Sequence, residues 1–185
     1  MHASSRPHSR GFTLIELLMV LSIAGILAVI GMPALGSMLA RAHQQSAEGA
    51  LEASLMHARE SAIMRDTHVI VCPSSNGKDC SAGVDWQHGW LIATDVDHDD
   101  QPDKGAGPLA VFNAMPSGMR IVASRGRPRV VFRPDGSAGG SNAQLTICHI
   151  GDTHAGRSVV IANSGRVRVS DAQPDHLRTC LQDAG

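Results

Sequence analysis

The stretch that decides the fold is GFTLIELLMVLSIAGILAVIGM, residues 11–32, in which Glu16 is the only ionisable side chain. About 20 consecutive apolar residues suffice for a helix to cross a bilayer, so residues 12–33 are predicted to be a single transmembrane helix. A carboxylate inside such a segment is energetically costly, which indicates a function for Glu16.

The residues before this stretch indicate its orientation. They read MHASSRPHSR and carry Arg6 and Arg10 but no acid. Positive charge ahead of an apolar segment keeps that end in the cytoplasm, so the chain after residue 33 is expected in the periplasm. A conventional secretory signal has a shorter apolar core followed by a small-residue cleavage site, whereas here the small residue Gly11 precedes the core.

The order of basic leader, Gly11-Phe12, Glu16 and apolar run resembles the type IV prepilin signature. The resemblance implies that residues 1–11 are a leader, that a prepilin peptidase cuts after Gly11, and that the new N-terminal Phe12 is methylated. It also implies that Glu16 pairs with the terminal amine of a neighbouring subunit in a filament. Such an attraction is strong at low dielectric, where an unpaired charge is penalised.

The pattern after the apolar stretch changes twice. Residues 34–66 continue the helix as an amphipathic segment, because Leu51, Leu55, Ala58 and Ala62 recur at helical spacing, and one helix is predicted from about 13 to 65. From residue 67 onward, short Val- and Ile-rich segments alternate with turn residues. Eight strands are predicted, at 67–72, 89–95, 109–114, 119–124, 129–134, 144–150, 157–163 and 165–170. The predicted fold is α+β, with an all-β head, residues 67–185, packed on the helix.

This order of a long helix and a β-rich head resembles the GspH/FimT branch of the pilin superfamily. That branch contains minor pilins of type IV pili and minor pseudopilins of type II secretion. The resemblance implies an antiparallel head in the periplasm, a single-pass protein of the inner membrane that later joins a pilus at the cell surface, and other pilin or minor pilin subunits as partners.

Four cysteines are present, namely Cys72, Cys80, Cys148 and Cys180. An exported head lies where disulfides form and persist, and four cysteines allow three pairings. We favour Cys72–Cys80, which closes the loop PSSNGKD, and Cys148–Cys180, which attaches the C-terminal tail to a strand. A zinc site is less favoured, because no C-x-x-C occurs and no His lies at ligand spacing from a cysteine pair.

The segment DVDHDDQPD, residues 95–103, places Asp95, Asp97 and Asp99 at alternate positions, like the first ligands of a calcium loop. An EF-hand has Gly and Glu at its sixth and twelfth positions, where this chain has Asp100 and Ala106, and no flanking helices are predicted. A solvated turn between strands is therefore the favoured interpretation, and a calcium site is the alternative.

Charge is unevenly distributed along the chain. Residues 43–103 carry three basic and eleven acidic side chains, whereas residues 104–185 carry ten basic and five acidic ones. A basic C-terminal half indicates an anionic partner, but on asymmetry alone a solvated surface of mixed charge is the simpler interpretation.

Two arginine clusters lie in this basic half. In GRVRV, residues 165–169, alternate residues share a face of a strand, so Arg166 and Arg168 are predicted to point outward together. In RGRPR, Arg125, Arg127 and Arg129 are predicted to lie in a turn. Arginine is a good phosphate ligand because its guanidinium donates hydrogen bonds in pairs.

The family resemblance connects these arginines to a function. In minor pilins of the FimT kind, a Gly-Arg-x-Arg motif near the C-terminus is linked to DNA binding during uptake for transformation, and Gly165, Arg166 and Arg168 match it. The implied partner is double-stranded DNA, bound through its backbone without sequence preference. The alternative is a minor pseudopilin of type II secretion. An enzyme or a cofactor is not predicted, since no nucleophile elbow, phosphate loop or metal constellation occurs.

Overall fold

The computed structural model of the chain describes residues 12–140, 142–152 and 155–182, and the side chains of all of these except residues 30–34. It contains two helices and eight strands in these residues: α1 Leu14–Arg65, β1 Val69–Pro73, β2 Trp90–Thr94, β3 Ala110–Phe112, β4 Met119–Ala123, β5 Val130–Phe132, β6 Ala143–His149, β7 Gly156–Ile161, β8 Val167–Asp171 and α2 Pro174–Gln182. All eight predicted strands are therefore present, with boundaries shifted by one or two residues.

The chain divides into two compact units, Met1–Leu39 and Ala40–Gly185, and α1 begins in the first and ends in the second. In the first unit, every large apolar side chain described between Phe12 and Val29 is more than half exposed. The predicted membrane span at residues 12–33 is not confirmed: within the described part of the chain, no helix is long and apolar enough to cross a membrane.

The second unit is built on two antiparallel sheets. The first has the strand order β3-β2-β1-β5, and the second has the order β4-β6-β7-β8. The part of α1 in this unit supplies five buried apolar residues at helical spacing, which are Ala47, Leu51, Leu55, Ala58 and Ala62. They belong to one core with inward-facing residues of both sheets, so the α+β architecture of a helix packed on antiparallel sheets is confirmed.

Two tryptophans fix the centre of this core. Trp90 is fully buried, stacks on Phe112 with ring centroids 4.9 Å apart, and donates a hydrogen bond from Nε1 to Ser54 Oγ on α1. Trp86 is also fully buried and donates from Nε1 to the carbonyl of Pro128. Because both indole N–H groups have acceptors, neither tryptophan carries the penalty of a buried unsatisfied donor.

The head is not all-β, which corrects the sequence prediction. Residues Pro174–Gln182 form α2, with Pro174 at the first helical position, where a missing N–H is harmless. The buried residues Leu177 and Cys180 of α2 cover Val122 and Cys148 on the outer face of the second sheet. The signal for this helix was Pro174 followed by apolar residues three to four positions apart.

Both disulfides have the pairing that the sequence favoured. Cys72–Cys80 joins the end of β1 to the loop that follows it. Cys148–Cys180 joins β6 to α2, so the C-terminal residues are attached to the second sheet through a helix. No described cysteine is free.

Candidate functional site

The predicted processing segment is described only from Phe12 onward, so Gly11 lies outside the described residues. Phe12 is exposed and precedes α1. Thr13 caps α1, because its Oγ1 accepts a hydrogen bond from the Glu16 amide at 3.3 Å and its carbonyl accepts one from Leu17 at 3.1 Å. The pattern T-x-x-E, which the sequence interpretation missed, is the signature of a capping box. Glu16 therefore lies in the first turn of α1, where the helix dipole favours a negative charge.

The hairpin between β7 and β8 carries the Gly-Arg-x-Arg motif. Gly165 has a φ of +76°, and its amide donates to the carbonyl of Ala162. A Cβ at this position would lie 1.9 Å from the carbonyl oxygen of Gly136, which is itself held by a 2.9 Å hydrogen bond from Arg59 Nε. The close approach of two backbone segments therefore explains why the first residue of the motif is glycine.

The two arginines of the motif have the predicted orientation. Val167 and Val169 pack against the core, whereas Arg166 and Arg168 are exposed. In the described part of the chain, neither guanidinium forms an ion pair with an acid. Both arginines are therefore available to an external anion.

Arg168 lies on the outer face of the second sheet, in a mostly polar row of residues, called the polar row, that runs across β8, β7 and β6 to the residue after β4. Arg168 is opposite Val160 on β7, Val160 is opposite Gln144 on β6, and the carbonyl of Gln144 accepts from the amide of Ser124 after β4. Adjacent strands are about 4.8 Å apart, so this row is roughly 14 Å long. Gln144 Nε2 donates to Ser158 Oγ at 3.0 Å, and the residues between the two ends of the row, Val160 and Gln144, are uncharged.

The second arginine cluster is divided between two faces. Arg125 is exposed and lines a cavity of about 330 Å³ with Thr146, His176 and Thr179, at the β4 end of the polar row. Arg127 and Arg129 instead line a cleft of about 600 Å³ next to the first sheet. The RGRPR segment thus does not present its three arginines to one surface.

Both arginines in the cleft already have close neighbours. Arg129 Nη1 donates to the carbonyl of Asp100 at 2.6 Å and lies 3.9 Å from its carboxylate. Arg127 is half-buried, and a Cβ on Gly140 would lie 2.0 Å from its Nη1. Burial is the main cause that lowers the pKa of Arg127, followed by the charge of Arg133. These two side chains are less available to an external anion than Arg166 and Arg168.

The acidic loop follows β2 and forms the other wall of this cleft. One carboxylate oxygen each from Asp95, Asp97 and Asp99 lies within 4.8 Å of the other two. Asp95 is only 1% exposed, and its Oδ1 accepts no hydrogen bond from the residues that the structure describes. Burial raises the pKa of Asp95, and the charges of Asp100 and Asp99 raise it further.

A helix packed on an antiparallel two-sheet head is the fold of a solved type IV minor pilin. A family model described as "Type II transport protein GspH" matches residues 49–165. A second model, the prokaryotic N-terminal methylation motif, matches residues 6–32, which include Gly11, Phe12 and Glu16. The chain belongs to the GspH family.

Solved structures of similar fold come from two bacteria. Two crystal structures of the type IV minor pilin FimU from Pseudomonas aeruginosa match with TM-scores of 0.55 and 0.57 at 21% and 20% identity. They cover 70% and 72% of this chain, and 97% and 95% of their own. The minor pseudopilin EpsH of the type 2 secretion system of Vibrio cholerae matches with a TM-score of 0.49 at 12% identity, over 70% of this chain and 97% of that one. No curated protein sequence matches the chain.

Proposed function

We propose that this protein is a minor type IV pilin, a non-enzymatic filament subunit that binds double-stranded DNA through Arg166 and Arg168 during uptake for natural transformation. In this proposal a prepilin peptidase removes residues 1–11, and residues 12–33 hold the subunit in the inner membrane before it assembles with other pilin subunits. The head then lies in the periplasm and, after assembly, at the cell surface.

The observation that supports DNA binding best is the exposure of Arg166 and Arg168 without an acidic partner among the described residues. An arginine kept on a surface without a partner retains its capacity for bidentate phosphate contacts. The nearest acid on the same edge strand, Asp171, pairs with Arg157, whose Nη1 lies 2.5 Å from it, rather than with Arg166 or Arg168. Arg166 and Arg168 therefore present two positive charges at the hairpin with which no described acid forms an ion pair.

The polar row extends this surface in a way that suits a duplex. Arg125 and Arg168 lie near opposite ends of a row roughly 14 Å long, which is comparable with the width of about 12 Å of a DNA major groove. The amide group of Gln144, which lies between them and is partly exposed, is of a type that contacts phosphate and sugar oxygens. Such contacts position a protein on DNA but do not read its sequence, so the binding should be independent of sequence.

The test is a titration of the full-length chain, in detergent, with duplex DNA at several salt concentrations. The double variant Arg166→Gln/Arg168→Gln should bind more weakly, and the slope of log affinity against log salt should decrease by up to about 1.8, or about 0.9 for each lost phosphate contact. The matched control is Arg127→Gln/Arg129→Gln, which removes the same charge from the cleft and should change the affinity much less.

Two results would contradict DNA capture by the β7–β8 hairpin. One is the absence of salt-dependent binding by the parent chain, and the other is equal weakening by both double variants, since that would indicate an effect of net charge only. Circular dichroism of each variant would verify that its fold is intact.

The second candidate function is a minor pseudopilin of type II secretion. It is favoured by the family model that covers most of the head, because that model is described as a type II transport protein. Genes for a secretion ATPase and a secretin beside this gene would support it, whereas genes for other minor pilins would support the DNA-binding pilin. In the secretion role Arg166 and Arg168 are surface residues of a filament subunit and have no DNA partner.

A further inference from the structure

The acidic loop contains a cluster of carboxylates whose geometry suits a bound cation. Asp95, Asp97 and Asp99 occupy alternate positions after β2, and one oxygen from each lies within 4.8 Å of the other two. Ca²⁺ binds oxygens at about 2.3–2.6 Å, so two ligands on opposite sides of the ion are about 4.6–5.2 Å apart. The three oxygens are therefore close enough to contact one Ca²⁺ together.

Asp95 gives an independent reason to expect a ligand. Its side chain is almost completely buried at 1% exposure, and its Oδ1 has no hydrogen-bond donor in the described part of the chain. A buried carboxylate oxygen without a partner costs several kcal/mol in general, because it has lost its hydration without compensation. A cation at the cluster would supply the missing partner.

No neighbouring arginine supplies that compensation instead. Among the described residues, no ion pair reaches Asp95, Asp97 or Asp99, and the nearest pair in the loop joins Arg129 to Asp100. Other loop oxygens are occupied, since Asp103 Oδ1 accepts from the Val96 amide and Asp99 Oδ1 accepts from the Gln101 amide. These hydrogen bonds fix the loop. Asp95 also interacts with the backbone N–H of Asp99 and with His98, but no described arginine or lysine forms an ion pair with the three clustered carboxylates.

We propose that Asp95, Asp97 and Asp99 form a Ca²⁺ site on the β2–β3 loop. The ligands are all oxygens, as hard cations require, and the cluster contains no His or Cys, which disfavours zinc. Ca²⁺ takes six to eight oxygens, so water and a second oxygen of a carboxylate complete the shell. Mg²⁺ demands a tighter octahedron at about 2.0–2.1 Å and releases its water reluctantly, so it should bind more weakly to this open loop.

The experiment is isothermal titration calorimetry of the full-length chain in detergent, treated with a chelator and then titrated with CaCl₂ or MgCl₂. We expect one Ca²⁺ per chain, with a dissociation constant on the order of 10⁻⁴–10⁻³ M or tighter, as in extracellular calcium modules. The variant Asp97→Asn removes one ligand charge from an exposed position and should weaken Ca²⁺ binding by about tenfold or more.

The matched control is Asp100→Asn. It removes the same charge from the same loop but lies outside the cluster, and its φ of +62° is one that asparagine tolerates. Ca²⁺ binding should change by less than about threefold in this variant. The proposal is overturned if no saturable binding occurs up to about 10 mM CaCl₂, if Mg²⁺ binds as tightly, or if both variants weaken binding equally, because that last result indicates diffuse attraction to an acidic loop. The DNA titration is independent of this result, since Arg166 and Arg168 lie on the other sheet.

Discussion

Gly165 shows how one residue of a functional motif can be required by the fold. Its positive φ and its contact with Gly136 place two backbone segments against each other, beneath the hairpin that presents Arg166 and Arg168. The glycine positions the arginines but does not have to contact DNA. Loss of DNA binding in a Gly165 variant would therefore not show that Gly165 contacts DNA, because displacement of the hairpin has the same effect.

We predict that Gly165→Ala destabilises the protein by at least about 2 kcal/mol, since alanine disfavours this φ and its Cβ would overlap the carbonyl oxygen of Gly136. Urea denaturation followed by circular dichroism measures the change. The matched control is Gly107→Ala, where a Cβ would meet nothing within 4 Å, and it should cost less than about 1 kcal/mol. Equal stability of the Gly165→Ala and parent proteins would show that the hairpin can shift away from Gly136 at little cost.

The sequence predicted the side-chain directions at this hairpin but not the separation of the arginines. Alternation along one strand is a local property, so Arg166 and Arg168 could be assigned outward from GRVRV alone. The position of Arg125 relative to Arg127 and Arg129 depends on which sheet each end of the β4–β5 connection meets. Tertiary packing determines this arrangement, and the spacing of the arginines in RGRPR does not predict it.

The sequence predicted the strands of the head but not its short C-terminal helix. The eight strands could be predicted because Val- and Ile-rich segments with turn residues between them are local signals. The helix α2 was missed because it is short and mostly polar, and its apolar side comprises chiefly Leu177 and Cys180. Its position on the second sheet is fixed by the Cys148–Cys180 disulfide, a contact 32 residues apart in sequence. A helix of nine residues attached in this way gives only a weak local signal, which is Pro174 and the apolar residues three to four positions apart.

One arginine connects three elements of the head. Arg157 on β7 makes a 2.6 Å contact from Nε to Glu48 Oε2 on α1 and also pairs with Asp171 on β8. The hydrogen bond to Glu48 is the main cause that raises the pKa of Arg157. Because the arginine side chain is about one-third exposed, solvent weakens these ion pairs. Their contribution to the free energy of unfolding therefore lies between that of a surface pair and that of a buried pair.

We therefore predict that Arg157→Gln lowers the free energy of unfolding by about 1–2 kcal/mol, through loss of the charge-assisted hydrogen bonds between helix and sheet. The control is Arg178→Gln, which removes an exposed pair with Asp175 inside α2 and should cost less than about 0.5 kcal/mol. Urea unfolding of Arg157→Gln and Arg178→Gln measures the two losses. The coupling between Arg157 and Glu48 follows when Glu48→Gln and the double variant Arg157→Gln/Glu48→Gln are unfolded as well. If the two single variants are equally stable, Arg157 does not join α1 to the sheet energetically.

At the scale of the whole molecule, the two units differ in how their apolar residues are covered. The second unit buries most of its apolar residues between helix and sheets, whereas the first exposes every described large apolar side chain from Phe12 to Val29. An exposed apolar surface of this extent indicates contact with other molecules, such as lipids or neighbouring subunits. Together with the methylation motif, it supports a subunit that is complete only when assembled.

Processing and assembly can be separated by experiment. With a prepilin peptidase coexpressed, we predict a mass that corresponds to loss of residues 1–11 and gain of one methyl group on Phe12, measured by mass spectrometry of the purified chain.

Glu16→Gln should be cut normally but should disappear from sheared filaments, because the terminal amine of the next subunit would then be unpaired at low dielectric. Glu60→Gln is the matched control, an exposed acid on α1 in the second unit, and it should assemble like the parent. An unchanged mass would contradict cleavage after Gly11. If Glu16→Gln is incorporated into filaments normally, Glu16 is not required for pairing with the terminal amine, and its position in the first turn of α1 is its only assigned role.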